Sequence, residues 1–225
     1  MRIVLVGASG MVGQGVLRAC LAAEDVSEII LLARRPLPEV TDPRLRTVIV
    51  ADLADFQASA SEFAAIDACF FCAGVSAFGM SESEYRVITY DLTLHVATQL
   101  QQHSPQLTMV YVSGAGADSS EQSRNMWARV RGQTENALLQ LGLPRVAILR
   151  PALIVPEDGI RSRTAGYRLF YAVLRPFLGP LRRLFPGSVV TTGVIGRAML
   201  NAVRHGVPQA VLAPRQINQL AEAHG

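Results

Sequence analysis

Ile3-Val4-Leu5-Val6-Gly7-Ala8-Ser9-Gly10-Met11-Val12-Gly13 opens the chain with a short apolar run, a glycine-spaced turn and the start of a helical pattern that continues to Ala23. Apolar residues in an unbroken short run read as a strand buried on both faces, and the 3.6-residue spacing that follows reads as a helix. Only between a strand and a helix are glycines at such spacing informative. There they permit a sharp turn and close approach to the backbone, while the helix N-terminus turns free N–H groups and the positive end of its dipole toward an anion. Gly7, Ser9, Gly10, Met11, Val12 and Gly13 are therefore candidate contacts for the pyrophosphate of a dinucleotide.

Outward from this unit the pattern repeats. Further buried strands are expected at 28–33, 47–51, 68–73, 107–112 and 145–149, with helices at 82–102, 124–141 and 193–204 and a last short strand at 210–213. Strands alternating with helices mean right-handed βαβ units and a parallel sheet covered on both faces. The fold class is α/β, a doubly wound parallel sheet of the Rossmann-like, NAD(P)-binding kind, in one domain spanning 1–225. The alternation fails at 159–188, where Pro, Gly, Arg and bulky apolar residues intermix. That segment is expected to be a lid or insertion within a small irregular C-terminal lobe.

The composition sets the bounds. A chain of 225 residues, 50% apolar and 17% charged, can bury a core that needs no staples. No apolar stretch reaches the ~20 residues of a spanning helix, and the run before Gly7 is short for a signal peptide. Three cysteines cannot all pair, so a reducing, cytoplasmic location is expected. Cys69-Phe70-Phe71-Cys72 has redox-motif spacing, but in a strand the two thiols point to opposite faces, and the reactive motif normally opens a helix. His95, His103, His205 and His224 are scattered without ligand spacing, so no metal is expected.

All 21 basic residues are arginine. Lysine chemistry, including Schiff bases and a P-loop lysine, is thereby excluded, because a guanidinium does not release its proton near neutral pH. The charges are also unevenly placed. Residues 1–158 hold 12 arginines and 17 of the 18 acids, whereas 159–225 hold nine arginines and Glu222 alone. A basic C-terminal third points to an anionic ligand, an acidic partner or a membrane surface, or to solvated arginines.

The end of the second strand chooses the dinucleotide. An acid there accepts from the ribose hydroxyls of NAD, but this chain has Arg34 and Arg35, which suit the 2′-phosphate of NADP. NADP is the expected cofactor in preference to NAD. Asp52, after the third strand, is placed to accept from the adenine amino group with Leu53 beside the ring. Ala73, Gly74 and Val75 end the fourth strand at the switch point and should run close to the cofactor.

These motifs, together with Tyr111-Val112-Ser113-Gly114-Ala115-Gly116-Ala117-Asp118, Leu149-Arg150-Pro151 and the helix Gly196-Arg197-Ala198-Met199-Leu200, resemble the short-chain dehydrogenase/reductase superfamily. The likeness is to its atypical branch of NmrA-like and sugar-epimerase-like proteins. It implies an active site of a serine after the fifth strand and a Tyr-x-x-x-Lys pair on the next helix. Ser113 matches the serine, but Trp127 stands where tyrosine is expected and Arg131 where lysine is expected. Arg131 retains charge and donors for ribose hydroxyls, whereas an indole cannot shuttle a proton near neutral pH. Tyr85, Tyr90, Tyr167 and Tyr171 are the candidates to replace the missing acid.

The resemblance leaves two readings open: an NADP-dependent oxidoreductase or epimerase-like enzyme with a degenerate site, or a catalytically silent dinucleotide-binding protein acting through a partner. The stretch 167–185, apolar with interspersed arginines, is expected to cover a small-molecule substrate, anionic given the arginines. A protein partner, a homodimer surface or peripheral membrane contact would leave the same pattern. Nucleic acid is not expected, since no recognised module accompanies the arginines.

Overall fold

The computed structural model describes residues 1–37, 40–157, 159–160 and 187–223. It begins with β1 (Arg2–Val6), α1 (Met11–Ala22) and β2 (Glu28–Ala33), followed by β3 (Leu45–Ile49), α2 (Ala60–Phe63) and β4 (Ala68–Phe71). The second half comprises α3 (Glu82–Arg86), α4 (Leu92–His103), β5 (Thr108–Val112), α5 (Met126–Gln140) and β6 (Arg145–Leu149). Then come β7 (Leu153–Val155), β8 (Val189–Thr191), α6 (Thr192–His205), β9 (Val211–Leu212) and α7 (Pro214–Glu222).

Seven strands form one sheet in the order β3-β2-β1-β4-β5-β6-β9, with every pairing parallel. Because β1 pairs with β2 on one side and β4 on the other, the switch point falls beside the glycine turn. That is where open α/β sheets bind ligands. Strand alternation divides the core in two. Ile3, Leu5, Ile29, Leu31 and Phe70 pack beneath α1, α6 and α7. Val4, Val6, Ile30, Leu32, Cys69 and Phe71 pack with Val96 and Leu100 of α4 and Leu138 of α5.

Helices α1 and α6 meet at glycines. A Cβ on Gly15 would lie 2.4 Å from the Thr192 Cβ, and one on Gly196 would lie 2.5 Å from the Ala19 Cβ. The cysteines belong to the core rather than to a redox pair. Burial pushes the Cys20 and Cys69 thiols up to about 12 and Cys72 well above its ordinary value, so all three stay protonated.

The structure departs from the sequence expectations at several elements. The third strand runs two residues earlier than its apolar pattern, because pairing of Ile29 with Leu45 through Ala33 with Ile49 sets its register. Arg46 is accommodated in that strand by ion pairs to Glu28 at 3.2 Å and Glu62 at 2.8 Å. The helix expected at 82–102 contains a π-helical turn at Val87–Asp91 between α3 and α4. The β7–β8 pair and α7, whose Ile217, Leu220 and Ala221 form one buried face, are additions to the expected elements, and of the expected lid at 159–188, residues 161–186 lie outside the described ones.

Candidate functional site

The C-terminal ends of β1 to β6 bring the candidate residues to one edge of the sheet. The glycine turn divides into structural and permissive positions. Gly7 has a φ of +86°, and a Cβ there would lie 2.5 Å from the Ala73 amide nitrogen; one on Gly13 would lie 2.1 Å from the Gly7 carbonyl oxygen. Both glycines are required for the strand, turn and helix to close upon each other. Gly10 is different. It is the N-cap of α1 at a φ of −79°, open to any residue, and no side chain caps the helix. A Cβ on Gly10 would meet only the Gly7 oxygen, at 3.3 Å.

The helix end behind Gly10 therefore keeps its dipole and first-turn N–H groups open, with half-buried Ser9, Met11 and Val12 around it. This cradle fits a pyrophosphate. Beyond β2, Arg34 and Arg35 are exposed and make no hydrogen bond or ion pair among the described residues. Asp52 caps a 3-10 turn, its Oδ1 accepting from the Ala54 amide at 3.0 Å, and its second oxygen has no partner among the described residues. Leu53 turns partly inward against the core. After β4, Gly74 approaches Arg131: a Cβ at Gly74 would lie 3.4 Å from Nη2.

On α5, Trp127 and Arg131 share one face, with the guanidinium carbon 5.9 Å from the indole centroid. The indole lies on the loop after β5, where a Cβ at Gly114 would be 3.0 Å from Cζ2 and one at Gly116, with φ +93°, would be 3.6 Å from Cζ3. Arg131 is only 8% exposed. Its Nε donates to the Tyr85 hydroxyl at 2.9 Å, and Nη1 donates to the Tyr111 hydroxyl at 3.3 Å and the Val112 carbonyl at 3.0 Å. Burial works against the charge, but Tyr111, Tyr85 and Glu135 outweigh it and hold Arg131 above its ordinary pKa. The same burial holds the Tyr111 phenol above its ordinary value despite Arg131 alongside.

Ser113 is engaged in a way the sequence reading missed. Its hydroxyl donates to the Glu135 carboxylate, which is fully buried. Arg150 clamps that carboxylate, Nε lying 3.1 Å from Oε1 and 3.0 Å from Oε2, and its Nη2 reaches Ser119 Oγ at 2.6 Å. A serine expected to orient a carbonyl through its proton has that proton committed to a carboxylate. Glu135 stands four residues beyond Arg131, and Arg150 directly follows β6. That one-turn spacing on α5 was the signal available in the sequence.

Of the tyrosines considered as replacement acids, Tyr85 is fully buried behind Arg131. Tyr90 is half-buried, with the Arg86 guanidinium 4.0 Å above its ring. Tyr167 and Tyr171 lie outside the described residues. The hydroxyls of Tyr85 and Tyr111 bond to Arg131, the neighbour of Trp127.

The comparisons agree with this fold. The model of the NAD dependent epimerase/dehydratase family matches residues 3–125. The chain belongs to that family. Among curated relatives, the protein named fmp52, mitochondrial, of Emericella nidulans is 31% identical over 210 residues, covering 89% of this chain and 86% of its own. FMP52, mitochondrial, of Lodderomyces elongisporus is 24% identical over 184 residues, covering 76% and 73%.

Solved structures share the family's fold. Gre2 of Candida albicans in complex with NADPH superimposes with a TM-score of 0.72 at 14% identity, covering 95% of this chain and 78% of that one. MoeE5 in complex with UDP-glucose and NAD gives 0.68 at 16% identity, covering 95% and 75%. The relatives correct one expectation: a cytoplasmic location is contradicted by homologues named mitochondrial. The expectation rested on the lack of a spanning apolar stretch, on the short run before Gly7 and on unpaired cysteines, and none of these distinguishes the cytosol from another reducing compartment.

Proposed function

We propose that this family member binds NADP(H) and has lost the family's proton relay, so that it holds the dinucleotide without the standard acid–base step. The observation that carries the reading is the Trp127 indole laid on Gly114 beside Arg131. It covers the face where a proton donor would have to stand, with a ring that can donate a hydrogen bond but cannot exchange a proton near neutral pH. NADP is favoured over NAD by the exposed Arg34 and Arg35, which have no partner among the described residues, and by the absence of an acid in residues 33–37.

Under this reading the turn Gly7 to Gly13 holds the pyrophosphate, Arg34 and Arg35 take the 2′-phosphate, Asp52 faces the adenine, and Gly74 and Arg131 border the nicotinamide end. The bound nicotinamide would supply a hydride. The remaining activity is recognition of the nucleotide and transmission of its presence to a protein partner or second copy. A second reading, enzymatic turnover of a small anionic substrate with a proton from another group, is supported by the presence of Ser113 after β5, where the resemblance implies the active-site serine.

Calorimetric titration with NADPH and NADH at matched salt, on wild type and Arg34→Ala, tests the cofactor. Tight NADPH binding that weakens about tenfold in the variant is expected, the loss of one charge-assisted contact. Equal affinity for both nucleotides would remove the NADP preference, and binding of neither would overturn the reading.

A further inference from the structure

Arg131 is a buried cation with no ion pair of its own among the described residues. The nearby carboxylate, Glu135, is bonded to Ser113 and Arg150 instead. A buried guanidinium persists only if its N–H groups find acceptors. Two of its nitrogens find neutral ones: Nε the Tyr85 hydroxyl at 2.9 Å, and Nη1 the Tyr111 hydroxyl at 3.3 Å and the Val112 carbonyl at 3.0 Å. The third, Nη2, has no hydrogen-bond partner among the described residues and faces Gly74, where a Cβ would stand 3.4 Å away. The aromatic rings of Tyr111 and Trp127, each 5.9 Å from the guanidinium carbon, flank the group.

Resting on the reading above, we propose that Tyr85 and Tyr111 are positioning residues that lock Arg131 so that Nη2 donates to the nicotinamide-side ribose hydroxyls of the bound dinucleotide. A lysine at this place would be a flexible point charge. An arginine presents a planar fork whose direction depends on which nitrogens are already occupied. Tyr85 comes from α3 and Tyr111 from β5, so three separate elements converge on one guanidinium.

The test compares NADPH with 2′,5′-ADP, which carries the adenine-side phosphates but no nicotinamide ribose, by calorimetry on Tyr85→Phe, Tyr111→Phe, Arg131→Met and the Tyr85→Phe, Arg131→Met pair. Each single variant is expected to bind NADPH about tenfold more weakly and 2′,5′-ADP as wild type does. In the Arg131→Met background, Tyr85→Phe is expected to add no further loss, the non-additivity of a residue that acts through another. Tyr90→Phe, which removes a hydroxyl from the neighbouring π-helical turn, should change neither ligand.

Unchanged NADPH affinity in Tyr85→Phe and Tyr111→Phe overturns the proposal. So does an equal loss for both ligands, which would mark the tyrosines as merely structural. If wild type binds neither ligand, the NADP reading itself has failed, an outcome distinct from both.

Discussion

The turn after β1 and the cluster where α5 meets β5 and β6 lie on the same edge of the sheet but are built on different principles. In the first, function resides in missing side chains. Gly7 and Gly13 let backbone meet backbone, and Gly10 leaves the helix end open. In the second, function resides in side chains that occupy one another: Ser113 with Glu135 and Arg150, Arg131 with Tyr85 and Tyr111, and Trp127 with Gly114. The backbone-built region rests on residues adjacent in the chain, and the side-chain-built region on residues far apart in it. A turn defined by steric exclusion tolerates few alternatives, whereas a hydrogen-bonded cluster can be rewired if every buried group keeps a partner.

The largest effect that would sharpen this contrast is expected at Arg150. Arg150→Met leaves the Glu135 carboxylate buried against Ser113 with its clamp gone, and should cost about 3–5 kcal/mol of folding stability. Urea denaturation measures it. A cost near zero would mean that the cluster is not an interdependent unit.

Within the turn, Gly13→Ala should cost about 1–3 kcal/mol, because the added methyl would displace the Gly7 carbonyl. Gly10→Ala should stay within about 0.5 kcal/mol of wild type while losing most of its NADPH affinity. Thermal melts paired with nucleotide titration separate the two. If both variants lose stability alike, the division of the turn into structural and permissive glycines is wrong.

Trp127→Tyr with Arg131→Lys is expected to cost under about 1.5 kcal/mol, and its chemical consequence is distinct. Restoring the pair should bring NADPH-dependent reduction of small aldehydes or ketones, followed by loss of nicotinamide absorbance. Continued silence would show that departures beyond these two residues disable the site.

Much of the first region was legible in the chain. Ile3 to Val6 are consecutive and apolar, the glycines lie within one turn, and Arg34 directly follows a strand; all are local signals. The parallel, doubly wound arrangement also followed from the alternation of strand and helix, while the strand order came from the structure. The third strand was misplaced by two residues because its apolar pattern extends past the residues that β2 pairs with. Local sequence therefore determined the doubly wound sheet, the glycine turn and the placement of Trp127 and Arg131 four residues apart on one helix, since backbone conformation and residue type are properties of neighbours in the chain.

Only the tertiary structure decided what the remaining polar groups do. Glu135 meets a serine 22 positions earlier and an arginine 15 positions later, and Tyr85 meets an arginine 46 positions away. In sequence, these are ordinary polar and aromatic residues on helices and strands. Burial removes water as their alternative partner, and it is this desolvation that commits the Ser113 proton to Glu135 and leaves Nη2 of Arg131 open toward Gly74.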